Sequence, residues 1–368
     1  MKVRPFREED AAAVAALWQY WFKDKTLVPD PRLTELARRI YANDPNVDEE
    51  VTSLIAEGPD GQVMGFLGVS VMPVQVDGVS GKMAGVFPSV VHPDAPSTVA
   101  TFLLRRFLAG PQVLTFSDGG HVKFERIWEA LGGQIAQMQS LRWIVPFRPL
   151  ETAAGSRSAR KVVGRLQPGF AYIARGADHL LRRLSRRRFT APAAGADYVA
   201  EPLTPSELVA AAAKLDSKAR LRPLYDAEHL AWQFGEMKRI DDLGEFTAHV
   251  VKTRDGAPVG WYVYYLKRGG VSRLFALEGH YKHLEGVTGH LLADADRRGA
   301  GAVMGRMEPK LRRVMAGRTD LIVPKGSLMM VHSKDPSLMS DALLGRLAFT
   351  RLQGENWYWW AIASQTPP

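Results

Sequence analysis

Chemistry in this chain has to be done without thiols. Cysteine is absent from its 368 residues, which rules out disulfide scaffolds, thiolate metal sites and cysteine nucleophiles. The nine histidines are scattered, and no two stand at His-x-x-x-His spacing. The closest pair, His280 and His283, falls in a loop-like stretch, so no metal site is expected. No zinc signature, P-loop, dinucleotide fingerprint or serine elbow occurs. Two other features stand out. Between Ser156 and Phe189, Arg157, Arg160, Lys161, Arg165, Arg175, Arg182, Arg183, Arg186, Arg187 and Arg188 face a single acid, Asp178. The whole chain carries a net charge of +9, so everything outside this stretch is neutral and attraction to an anionic partner is concentrated here. The second feature is the run Leu352-Gln353-Gly354-Glu355-Asn356-Trp357-Tyr358-Trp359-Trp360. Its rings can line an acceptor site by stacking, or pack on the core from a terminal strand; alternation favours the core and leaves one ring face available.

The elements that must position such residues follow from periodicity. A length of 368 residues exceeds what one core supports, and 46% hydrophobic with 24% charged residues suits two globular cores. Residues 2–5 read as a strand, Glu8 to Phe22 and Pro31 to Tyr41 as helices, and 51–57 with 63–71 as a hairpin about Pro59-Asp60-Gly61. Strand 83–92, helix 97–109, strand 112–116, helix 121–131 and strand 139–146 complete that half. A loop-flanked segment, 151–195, holds an amphipathic helix over Phe170 to Phe189, with Ile173, Ala177, Leu180, Leu181 and Leu184 on one side and the arginines on the other. It is expected to lie outside both cores. The last part, 196–368, repeats the order: strand 198–203, helices 206–215 and 226–234, a hairpin about Asp255-Gly256, strand 270–278, helix 284–298, strand 302–307, helix 309–316, and strands 329–333 and 357–362. The repeat is one of pattern; the residues themselves are not visibly duplicated. The expected organisation is an N-terminal domain 1–150, a basic linker 151–195 and a C-terminal domain 196–368. No window reaches the roughly 20 apolar residues of a membrane span, and the charged start lacks a signal-peptide core, so a cytoplasmic location is expected.

Several segments, taken in order, carry a likeness. Val3-Arg4-Pro5-Phe6-Arg7-Glu8-Glu9-Asp10 is followed by Ser53-Leu54-Ile55-Ala56-Glu57 and Gly61-Gln62-Val63-Met64-Gly65-Phe66. Val90-Val91-His92-Pro93 and Trp128-Glu129-Ala130-Leu131-Gly132-Gly133 come next. Together they resemble the GNAT superfamily over most of residues 1–147. The resemblance implies a mixed α/β fold: two GNAT-like acyl-CoA N-acyltransferase domains in tandem, each with a mainly antiparallel sheet splayed after its fourth strand. It also implies acetyl-CoA or another acyl-CoA as donor and no metal. The family's R/Q-x-x-G-x-G/A stretch falls on Ala95-Pro96-Ser97-Thr98-Val99-Ala100, where only Ala100 matches and Ser97 reads as a helix N-cap. In the second half it falls on His283-Leu284-Glu285-Gly286-Val287-Thr288, where Gly286 takes the place of the first glycine. Phosphate cradling and a structural turn both fit that glycine. The resemblance therefore places the donor on Leu277, Lys282, His283, Gly286, Val287, Thr288 and Gly289. The family's tyrosine acid is replaced by Trp128, and no tyrosine occurs in 309–317. The nearest titratable residues are Glu278, Glu308 and His280, with surface roles as the plainer reading.

Three functions fit: acyl-CoA-dependent transfer to an amine or hydroxyl of a small-molecule, sugar or peptide acceptor; transfer from aminoacyl-tRNA, as in two-domain peptidoglycan-type transferases; and a non-catalytic binding protein. The basic segment suits an anionic surface such as membrane lipid. It suits nucleic acid less, because aromatics are not interleaved among its arginines.

Overall fold

The computed structural model describes the chain apart from residues 121, 155–166, 193, 194, 196, 216–218, 317–319, 323–327, 355 and 366–368. The elements run β1 (Lys2–Pro5), α1 (Ala11–Gln19), α2 (Pro31–Tyr41), β2 (Leu54–Glu57), β3 (Val63–Val76), β4 (Val79–Val91), α3 (Val99–Leu108), β5 (Leu114–Gly120), α4 (Val122–Ala130), β6 (Gln134–Ile135) and α5 (Gln137–Ser140). Then come β7 (Arg142–Pro146), α6 (Pro149–Ala154), α7 (Gln167–Leu184), α8 (Arg186–Phe189), β8 (Tyr198–Pro202), α9 (Pro205–Lys214), β9 (Leu221–Pro223) and α10 (Ala227–Lys238). The remainder is β10 (Glu245–Thr253), β11 (Pro258–Leu266), β12 (Val271–Gly279), α11 (Leu284–Arg297), β13 (Ala302–Arg306), α12 (Arg312–Met315), β14 (Asp320–Ile322), β15 (Leu328–His332), α13 (Pro336–Leu343) and α14 (Asn356–Ser364).

Local chemistry explains the clearest boundaries. Asp30 accepts from Arg32 N–H and Pro31 occupies the first position of α2, whose buried residues Leu33, Leu36, Ala37 and Ile40 recur at helical spacing. β3 turns into β4 through Asp77 and Gly78, both at positive φ, the backbone that a two-residue hairpin turn demands.

The chain forms two compact units, each discontinuous in sequence. The first comprises Met1–Ser140, Lys218–Ile240 and Lys325–Pro368; the second comprises Leu141–Ser217 and Asp241–Pro324. The first sheet has the order β1-β2-β3-β4-β5-β15-β6, with β9 beside β3; the second runs β14-β7-β13-β12-β11-β10-β8. Each is antiparallel except for one parallel pair, β4 with β5 and β12 with β13. The mixed α/β architecture and the tandem sheets are therefore as the pattern implied. One exchange was not: β15 lies against β5 in the first sheet, and β7 lies against β13 in the second. Contiguous pieces cut at 150 and 196 consequently do not delimit the units.

Two further expectations are corrected. Residues 357–362 are helical, because the buried side chains are Trp357, Tyr358, Ala361 and Ile362, a spacing of one and four rather than two. Tertiary burial here overrides the strand preference of aromatics. Residues 139 and 140 close helix α5 before β7 begins. The basic segment is also no free linker: within the second unit, Ala174 and Asp178 of α7 are 5% and 2% exposed.

Candidate functional site

Each unit contains one pair of parallel strands that part. β4 meets β5 at Met83–Leu114, Ala84–Thr115 and Gly85–Phe116 and no further. β4 itself continues to Val91 beside β3. A register shift opposite Leu67 and Val69 puts a bulge at Phe87-Pro88, which bends the strand where it leaves its neighbour. β12 meets β13 at Val271–Ala302, Ser272–Val303 and Arg273–Met304, and its shift against Val263 and Tyr264 leaves Phe275 as the extra residue. His92 N–H donates to Met64 O at 2.9 Å and His280 N–H to Val259 O at 2.9 Å. By antiparallel alternation, Val91 and Gly279 then turn their own amide and carbonyl to the open side.

The helix after each parted strand starts without a side-chain cap. Thr98 stands at the start of α3 and His283 at the start of α11, and neither makes a capping bond. Ser97 is thus not the N-cap expected from sequence. By contrast, Asp30, Thr204, Asp226 and Asp335 all cap their helices. An uncapped first turn keeps backbone N–H groups and a partial positive charge for an anion.

The second unit does not present the cradle assigned to it. A Cβ on Gly286 would lie 2.4 Å from Cε2 of Tyr198, so this glycine makes room for a ring, not for a phosphate. The same tyrosine hydroxyl is 3.0 Å from His283 Nδ1. Leu277 and Val287 belong to the core, and Thr288 Oγ1 donates to Leu284 O at 2.7 Å. A Cβ on Gly289 would lie 3.9 Å from Pro192, Lys282 is exposed, and Glu285 adds an acid to the first turn. The carboxylates Glu278 and Glu308 do come together, on Lys310. Its ammonium donates to Glu278 and lies 3.1 Å from Glu308, while Arg306 stands 3.9 Å from Glu308. Burial pushes the Glu278 carboxyl up against the pull of Lys310. Burial pulls Lys310 down, but its two carboxylate neighbours outweigh that and hold its pKa up. The cluster joins the end of β12 to the segment after β13, and so ties the parted strands. His280 is not part of it; its Nδ1 accepts from Lys282 N–H at 3.3 Å.

The first unit joins residues that sequence reading passed over to rings of the aromatic tail. Asp118 on β5 and Arg351 are buried and 3.3 Å apart, at 0% and 6% side-chain exposure. Gly354 packs on the same carboxylate. Beside parted β4, Phe87 stacks with Phe22, and both meet Trp359 edge-on at 6.2 and 5.2 Å. The Trp21 indole donates to Val91 O at 2.6 Å, and its side chain is 43% exposed. Trp128 is buried and donates to Val331 O at 2.9 Å, a structural role. A cavity of about 270 Å³ beside Arg4, Glu50, Arg106 and Gln112 lies toward the start of β5, away from the parted ends.

Paired then parted parallel strands, a bulge in the first of them and an uncapped helix after it occur in both units. The fold is GNAT-like, and it is present twice. Solved structures agree. A conserved protein of Enterococcus faecalis V583, described as a probable N-acyltransferase, matches at TM-score 0.56 and 10% identity, over 90% of this chain and 72% of its own. A GCN5-related N-acetyltransferase from Anabaena variabilis gives 0.57 and 11%, over 91% and 73%. One from Kribbella flavida gives 0.51 and 13%, over 90% and 70%. No family model and no curated protein matches the sequence. Among the described residues no cluster of three or more His, Asp or Glu could hold a metal, and no helix is long and apolar enough to cross a membrane.

Proposed function

We propose that the protein transfers an acyl group from coenzyme A to an amine or hydroxyl acceptor, and that the donor binds in the first unit between β4 and β5. The observation that carries this reading is the contrast between two equivalent clefts. In the second unit Tyr198 covers Gly286, Lys310 ties the parted strands and Glu285 sits in the first turn of α11. α3 has no acid in its first turn, so its N-terminal field is the better match for a pyrophosphate. Val91 offers backbone groups to an extended pantetheine arm in the manner of an added strand, with Trp21 yielding its bond. In the reaction the acceptor nitrogen attacks the thioester carbonyl, the carbon–sulfur bond breaks, and the proton lost by the amine ends on the thiolate. Tryptophan at position 128 cannot donate that proton, and water or the acceptor carries it. Phe22, Phe87 and Trp359 supply ring faces for the acceptor.

The test is calorimetric titration with acetyl-CoA, CoA and tRNA. Binding of acetyl-CoA and CoA is expected; binding of tRNA alone would replace this reading with aminoacyl transfer. Ala100→Glu puts an acid in the first turn of α3, which suits the helix dipole but repels phosphate. It should weaken CoA binding by roughly tenfold with the melting temperature kept. Wild-type affinity in Ala100→Glu would remove the donor from the first unit.

A further inference from the structure

The basic segment shows something that acyl transfer does not use. Polar contacts dock α7 on the second unit and leave Ile173, Leu180 and Leu184 outward. Asp178 accepts from Leu150 and Glu151 N–H at 3.0 and 2.7 Å. Arg182 grips both oxygens of Asp296 at 2.8 and 2.9 Å, and Arg175 holds Glu151 at 2.8 Å. Ile173, Leu180 and Leu184 are 73%, 57% and 74% exposed. At spacings of seven and four these three residues fall on one stripe. Arg183, also exposed, lies about 60° round the helix from Leu180, and exposed Arg188 follows on α8. A surface helix normally turns its apolar stripe to the core; an outward stripe edged by cations marks an interaction surface.

We propose that α7 rests on an anionic lipid bilayer, with Ile173, Leu180 and Leu184 in the boundary between headgroups and acyl chains and the flanking arginines on lipid phosphates. Charge selects this occupant. A second copy of the chain would set Arg183 and Arg188 against like charges, whereas an anionic leaflet attracts them. Apolar burial gives the contact a depth that charge alone lacks. The helix lies on the membrane and does not cross it, since no described helix is long and apolar enough.

Flotation of the full chain with vesicles decides the matter. The wild type should float with phosphatidylcholine–phosphatidylserine vesicles and stay behind with phosphatidylcholine alone, and added salt should release it. The combined variant Ile173→Ser, Leu180→Ser, Leu184→Ser should bind at least about tenfold more weakly, with an unchanged melting temperature because all three side chains are already exposed. Arg183→Glu should by itself reduce the preference for phosphatidylserine. Failure of the wild type to float, or undiminished binding of the triple variant, refutes the proposal. A dimer in sedimentation equilibrium that the triple variant dissolves, with no flotation, puts a second copy on the stripe and refutes it equally.

Discussion

His229 and Asp44 stand 3.4 Å apart in the first unit, each with a side chain 4% exposed. Burial lowers His229 from 6.5 to about 4 and raises Asp44 from 3.8 to about 7. Between pH 4 and 6.5 the unfolded chain binds a proton at the histidine that the fold refuses, and lacks one at the aspartate that the fold keeps. The two slopes cancel. In His229→Gln only the aspartate remains: its stabilisation is full below its unfolded value of 3.8 and is lost as pH rises toward about 7. In Asp44→Asn only the histidine remains, and stability is lost as pH falls from 6.5 toward about 4. Urea unfolding across this range should show opposite slopes in the two variants, each up to about 1.4 kcal/mol per pH unit. Parallel curves for wild type and both variants would contradict the pairing. Gly286 offers a second test. A Cβ there meets the Tyr198 ring at 2.4 Å, so Gly286→Val should cost about 1–3 kcal/mol by overpacking. Tyr198→Ala in the same chain should recover part of it, as read by thermal melting; a Gly286→Val melt equal to wild type would show an open cradle. Sequence could place Gly286 between a strand and a helix but not show what covers it, because Tyr198 comes from a different strand. Asp118 and Arg351 were invisible for the same reason: their partnership spans 233 positions.

At the scale of elements, local signals were legible and docking faces were not. α2 has its expected bounds because Asp30, Pro31 and a helical apolar stripe agree. The β10–β11 hairpin falls on its Asp-Gly turn at 255–256. The aromatic tail misled because ring content favours a strand, and only burial against the first unit decides for α14. α7 misled in another way. Its existence follows from period, but the expectation places it outside both cores, whereas the ion pairs of Arg182 and the buried Asp178 carboxylate dock it on the second unit with Ile173, Leu180 and Leu184 outward. Asp178→Ala should therefore act on two elements together. It strips the acceptor from the first amides of α6 and removes one anchor of α7, at about 1–2 kcal/mol. Hydrogen exchange should quicken at Leu150, Glu151 and along α7 while β10 to β12 keep their protection. Unchanged exchange at Leu150 and Glu151 would mean that the carboxylate holds nothing.

At the scale of the whole molecule the repeat of elements was readable and the exchange of strands was not. Alternation tells how a strand presents its two faces; it does not tell which edge the strand joins. β7 and β15 each read as a late strand of their own half, yet each lies in the other sheet, next to its short edge strand. The consequence reaches folding. Residues 1–150 lack β15, whose Met329, Met330 and Val331 are at most 2% exposed and whose Val331 carbonyl accepts the buried Trp128 indole. They also lack Leu221, Leu338 and Phe349 of the same core cluster. Residues 196–368 in turn lack Trp143, Val145 and Phe147, three members of the second core. Either piece alone exposes a sheet edge and a core opened by several large side chains, each worth about 2–5 kcal/mol, against a total stability of about 5–15 kcal/mol for a domain. Neither residues 1–150 nor residues 196–368 should give a cooperative melt by circular dichroism. Co-expressed as 1–150 and 151–368, the two pieces contain every exchanged strand and should co-purify with one. A cooperative transition from residues 1–150 alone would show that β15 is dispensable and that the exchanged strand does not hold the first sheet together.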